Sequence, residues 1–128
     1  MRATVTAAAV VMALGAPALA QQPKSPDAEA GQLAFNNACR TCHTLKEGDN
    51  RLGPHLHGVI GRKAGSLPDY AYSGSMKQAG IAWDEATLDR FLADPDSVVR
   101  DTKMKPFGGI ASADERRKII AFLKSNGD

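Results

Sequence analysis

The sequence predicts an all-α domain of three to five helices separated by long, glycine-rich loops. Three observations carry this reading. Apolar residues recur at helical spacing around residues 27–42, 85–93 and 113–123. Each of these stretches opens behind a good N-capping residue, Ser25, Asp84 or Ser112. No run alternates with the period of two that a half-buried strand requires.

The first twenty residues differ from the rest. Met1 and Arg2 give a short basic start, Ala3–Leu14 is mostly Ala and Val, and Gly15 and Pro17 interrupt the run before Ala18-Leu19-Ala20. This is the pattern of a secretory signal peptide, residues 1–20, with cleavage expected after Ala20 and a mature domain of residues 21–128. An uncleaved membrane anchor is the competing reading, but the apolar run falls short of the ~20 residues that span a bilayer.

Beyond a lead-in at Gln21–Lys24, Ser25-Pro26 reads as an N-cap followed by Pro at the first helical position. A helix is expected from Asp27 to about Cys42, with Gly31, Phe35 and Cys39 on one face. Residues 44–80 show no sustained period, and so long an irregular segment in a small domain is normally functional. A short helix is expected at Gly74–Gln78. Asp84 caps a helix over Glu85–Ala93 whose buried stripe is Leu88, Phe91 and Leu92, and Pro95 ends it. Val98 and Val99 suit a further turn of helix, and Arg100–Gly109 is loop. Ser112-Ala113-Asp114-Glu115 is a capping box opening a last helix with Ile119, Ile120, Phe122 and Leu123 inward and Gly127 as its stop.

Composition narrows the function. The chain has 128 residues, which suits one domain, and only 5% are aromatic, so a bound cofactor would relieve a thin core. Lys and Arg number 16 against 14 Asp and Glu, and removing Arg2 leaves 15 − 14 = +1, with no basic stripe of the kind that nucleic acid requires.

The two cysteines stand in Cys39-Arg40-Thr41-Cys42-His43, the C-x-x-C-H pattern of covalent c-type haem attachment. The spacing lets two thiols on one turn reach the two vinyl groups of one porphyrin edge, while the next residue presents an imidazole to the iron. A thioredoxin-type dithiol would follow a strand, and none precedes Cys39. A zinc site would need His55 and His57 at gaps that fit no standard finger. A disulfide across so short a gap would contribute little stability. An opposite iron ligand is sought among Met76 and Met104, the other methionines lying in the signal segment. Met104, in a loop between helices, is the better placed, and a core-filling role is the alternative that spacing leaves open.

Taken together, Gly31…Phe35…Cys39-x-x-Cys42-His43, Gly53-Pro54-His55-Leu56-His57-Gly58…Gly61-Arg62-Lys63-Ala64-Gly65, Gly80-Ile81-Ala82-Trp83 and Leu92-Ala93-Asp94-Pro95…Thr102-Lys103-Met104 resemble the class I c-type cytochromes over Gly31–Leu123. The resemblance is to mitochondrial cytochrome c and related soluble bacterial monohaem cytochromes c. It implies the cytochrome c fold wrapped around one haem c bound through two thioethers, with His43 and Met104 as iron ligands. It implies that the Pro54 carbonyl accepts the second N–H of His43, and that Trp83, Tyr72, Arg62 and Thr102 serve the haem propionates. Gly31 and Phe35 would cross against Ile119 and Phe122. His55 and His57 read as loop histidines with structural hydrogen bonds.

The implied role is a periplasmic carrier of single electrons in a respiratory or photosynthetic chain, not an enzyme. It would be a monomer docking weakly with a cytochrome bc1-type complex, terminal oxidase, reaction centre or dehydrogenase. A small haem peroxidase, a gas-binding haem protein and a dedicated acceptor of one dehydrogenase are the alternatives. The chain departs from the family pattern at several places. Phe91 stands where many relatives have Tyr, Met76 where many have Asn, Ala38 lacks a frequent Lys, Asp96 and Ser97 replace a Lys pair, and an extra residue falls near Pro106. The expected lysine ring thins to Lys103, Lys105 and Arg40 with Lys46 or Lys77, which weakens steering toward an acidic partner.

Overall fold

The computed structural model of the protein describes residues 15–18 and 23–127. The expected signal segment and its cleavage junction fall outside the described residues, apart from 15–18. Among the described residues there are five helices: α1 Pro26–Ala38, α2 Gly74–Gln78, α3 Glu85–Ala93, α4 Pro95–Val98 and α5 Ala113–Ser125. Among the described residues the only ladder-type pairing is an isolated antiparallel bridge between Lys63 and Ala82, both in loops. No described helix is long and apolar enough to cross a membrane.

The caps form as their residue types dictate. Side-chain oxygens of Ser25, Ser73, Asp84 and Ser112 accept backbone N–H groups of Ala28, Met76, Thr87 and Glu115. Asp94 closes α3 and precedes α4, so Pro95 opens the next helix as well as ending the last.

Helix α1 stops at Ala38, four residues before the expected end. The Cys39 and Arg40 amides both donate to the Phe35 carbonyl, and the Cys42 and His43 amides both donate to the Cys39 carbonyl. Two amides share one carbonyl at each of these points, so the regular ladder ends and residues 39–42 form a turn. The turn and the residue after it carry the two cysteines and His43 to the wall of the cavity described below.

The frame is the crossing of α1 and α5. A Cβ at Gly31 would sit 1.9 Å from the Lys118 carbonyl oxygen and 2.8 Å from the Phe122 Cβ, so only glycine permits this approach. Phe35 and Phe122 pack next to the crossing with ring centroids 5.4 Å apart. The backbone facing Gly31 is that of Lys118, and Ile119 turns instead toward the interior cavity described below. Arg116 braces α5 to the rest. Its Nε donates to Asp89 of α3 at 2.8 Å and its Nη1 to the Ile110 and Ala111 carbonyls at 2.8 and 3.0 Å.

Two loops complete the frame. Residues 61–64 and 81–83 pair through Gly61 N–H to the Trp83 carbonyl, Trp83 N–H to the Arg62 carbonyl and Ala64 N–H to the Ile81 carbonyl, each 2.8 Å. The loop before α5 is tied to α3 by Ile110 N–H to the Leu92 carbonyl at 2.8 Å. Beside that bond, Gly109 adopts φ +113, where a Cβ would lie 2.1 Å from the Ala93 carbonyl oxygen.

Candidate functional site: an apolar cavity behind the two cysteines

The turn that ends α1, the loops and α3 enclose a cavity of about 650 Å³. That volume is within the ~300–1,000 Å³ range of cofactor sites. All nine residues singled out from the sequence line it: Cys39, Cys42, His43, Pro54, Arg62, Tyr72, Trp83, Thr102 and Met104. The walls between them are mostly apolar, including Val59, Leu88, Phe91, Leu92, Ile119 and Leu123.

On the proximal side, His43 is buried and its Nδ1–H donates to the Pro54 carbonyl at 2.7 Å. This bond fixes the ring and leaves Nε2 as the free nitrogen. Burial lowers the His43 pKa, against the opposing effect of the Pro54 carbonyl, so the imidazole is neutral in neutral solution. Gly53 forms the floor under the ring: a Cβ there would fall 2.2 Å from the imidazole Cε1 and 2.6 Å from Nδ1. Its own N–H is held by the Cys42 carbonyl at 2.8 Å. Residue types alone assign Gly53 no role of its own, and the Gly-Pro pair shortly after C-x-x-C-H is the signal that marks it.

Both cysteines are free thiols. Burial, with smaller contributions from Cys42 and Glu115, pushes the Cys39 thiol up to about 11. A thiol so protonated is a poor nucleophile for disulfide exchange.

On the opposite side, Met104 is half-buried and its N–H donates to Thr102 Oγ1 at 3.3 Å. The Thr102 hydroxyl therefore positions the Met104 loop while also facing the cavity. Met76, on α2, lines the cavity too, so both methionines among the described residues share it. Phe91 packs against Trp83 with ring centroids 4.8 Å apart, so the residue lacking a hydroxyl holds the Trp83 ring. Trp83 is 7% exposed.

Arg62 reaches the cavity from a fixed base. Its Nη1 donates to the His55 carbonyl at 2.8 Å and its Nη2 to the His57 carbonyl. Burial lowers the Arg62 pKa and that of Tyr72 is raised, again mainly by burial. Tyr72 stacks edge-on against Tyr70, whose hydroxyl donates to the Leu52 carbonyl at 2.6 Å.

Comparison with known proteins decides what this arrangement is. The cytochrome c family pattern matches residues 28–127. The chain belongs to the cytochrome c family. It is 43% identical over 101 residues to cytochrome c of Gibberella zeae, covering 78% of this chain and 94% of that one. It is 43% identical over 97 residues to cytochrome c-550 of Bradyrhizobium diazoefficiens, covering 75% of this chain and 70% of the relative. The solved structure of cytochrome cH from Methylobacterium extorquens superposes with a TM-score of 0.71 at 44% identity, over 77% of this chain and 97% of that one.

The all-α cytochrome c fold follows, and with it the family's cofactor, one covalently attached haem c. The chain suits that group on its own evidence. Its two thiols stand on one turn at the cavity wall, a neutral imidazole with one nitrogen free stands beside them, and the remaining wall is apolar. The protein is an electron-carrier cytochrome.

Proposed function

We propose that this cytochrome is a periplasmic carrier of single electrons, exported with residues 1–20 removed, in which residues 21–128 form one monohaem domain. The observation that carries the proposal is the convergence of Cys39, Cys42, His43 and Met104 on one apolar cavity, with the His43 ring fixed by Pro54.

In this reading Cys39 and Cys42 would hold the haem through thioethers, and His43 and Met104 would ligate its iron. The haem supplies the one-electron couple, and a His/Met pair raises its potential. Pro54 and Gly53 keep the His43 ring from turning, and Thr102 holds the Met104 backbone. Neither ligand has to move when the charge of the site changes by one, so the chain reorganises little. Arg62, Tyr72, Trp83 and Thr102 offer positive charge and hydrogen bonds to the propionates. With His43 and Met104 both bound to the iron no substrate would bind there, which suits an electron carrier and not an enzyme. Its partners are membrane or periplasmic redox proteins, met through small and short-lived interfaces, with the protein itself a monomer.

The ferric optical spectrum tests this. A weak far-red band that resists added cyanide or azide is expected of Met104 ligation. Its absence, with fast uptake of those anions, would favour a peroxidase or gas-binding protein.

A further inference from the structure

His55 stands behind Arg62 with no part in the function proposed above. It is 6% exposed, and its backbone N–H donates to Asn50 Oδ1 at 2.9 Å, which fixes its place in the loop. Its ring nitrogen Nδ1 lies 3.4 Å from Arg62 Nη2, next to the bonds from the same guanidinium to the His55 and His57 carbonyls. Arg62 is always cationic and can only donate. The contact therefore requires an imidazole whose proton sits on Nε2, so that Nδ1 accepts. A proton on Nδ1 sets two cationic donors against each other.

We propose that His55 is a positioning residue for Arg62 that couples proton uptake from solvent to the charge state of the cavity. Neutral His55 completes the seat that presents Arg62 to the cavity. Protonated His55 breaks one contact of that seat and adds a positive charge beside Arg62. The inference rests on Arg62 facing the haem, as read above.

The neighbours set the direction. Burial is the largest influence and holds His55 below the ordinary histidine range, Arg62 and His57 act the same way, and Glu47 opposes them. Tyr72 is the other titratable neighbour of Arg62. Charge near the site favours the reduced state when it is positive. The potential should therefore rise as pH falls through the His55 titration and be flat in His55 above it. By linkage the reduced protein must bind this proton more tightly than the oxidised one.

The experiment is a potential–pH series on the haem-loaded protein from about pH 4 to 8, repeated on His55→Asn and on the control His57→Asn. An NMR titration of the His55 ring in both oxidation states of the unaltered protein accompanies it. The expected results are a rise on acidification that His55→Asn removes and His57→Asn keeps, and a higher His55 pKa in the reduced state. An unchanged rise in His55→Asn, or one His55 pKa in both states, overturns the inference. If His55→Asn fails to fold, the NMR titration decides alone. A normal haem spectrum with no redox-linked His55 shift sinks only this inference, whereas a protein without bound haem sinks the proposed function itself.

Discussion

Gly53→Ala places a methyl group where the His43 ring now lies, 2.2 Å from Cε1, 2.6 Å from Nδ1 and 2.8 Å from Nε2. Real Cβ contacts do not come so close, so either the ring or the backbone has to give. The backbone is pinned on both sides, since the Gly53 N–H is bonded to the Cys42 carbonyl at 2.8 Å and its carbonyl accepts the Arg51 N–H at 2.9 Å. The ring is the softer element, and moving it breaks the 2.7 Å bond to Pro54. Losing a hydrogen bond of this kind costs about 1 kcal/mol. Overpacking adds ~1–3 kcal/mol, so the total is about 2–4 kcal/mol. At ~4–8 °C per kcal/mol for a domain of this size, the melting temperature should fall by roughly 10–30 °C. Thermal unfolding of the haem-loaded variant, followed by far-UV circular dichroism, measures it. Gly74→Ala is the control, because a Cβ there meets nothing within 4 Å and the residue opens a helix. It should be neutral or stabilise by up to ~1 kcal/mol. If the two variants melt together, the account of how His43 is seated is wrong.

Met104→Ala should keep covalent haem, lose the far-red band and lower the potential, while Met76→Ala keeps the band. Optical spectra and redox titration of both decide, and the reverse pattern would move the ligand to α2. Gly31→Ala forces α1 off the Lys118 carbonyl, where its Cβ would lie at 1.9 Å, and should destabilise by at least ~1–3 kcal/mol in urea unfolding. Acid should weaken the fold in a salt-dependent way. Asp49, Asp84, Asp96 and Asp114 are held below the usual carboxylate value of 3.8 by, respectively, Arg51, the Thr87 N–H, Lys105 and Lys118 with Arg117. Folded values below unfolded ones mean that this stability is complete above the unfolded carboxylate range and is lost as pH falls through the lower, folded values. Melting curves between about pH 2 and 7 should show that loss, and added salt should shrink the part that comes from the exposed ion pairs of Asp96 with Lys105 and of Asp114 with Arg117 and Lys118.

Local chemistry made much of the fold legible. The caps at Ser25, Asp84 and Ser112 and the inward stripes of α3 and α5 are properties of short windows, and they stand where the sequence places them. The C-x-x-C-H turn and the residues that the resemblance sets around a haem line one cavity. What the sequence did not carry were close approaches between distant backbones. The end of α1 depends on two amides sharing the Phe35 carbonyl, which residue types at 39–43 do not announce. The flat seat that Gly53 offers His43 and the contact of Gly109 with the Ala93 carbonyl are likewise visible only once the loops are in place. The resemblance assigns Arg62 to the haem propionates but says nothing of what holds it in place. Its hold on two carbonyls and one imidazole comes from the turn that brings residues 55–57 back toward it.

The mass of the exported polypeptide, together with its absorbance after denaturation, tests the central claim most directly. Expressed with a working haem-attachment system, the chain cut after Ala20 should weigh its amino acids plus one haem, show no titratable thiol, and keep its Soret band when unfolded. A chain that weighs only its amino acids, titrates two thiols and carries no Soret band would contradict the account.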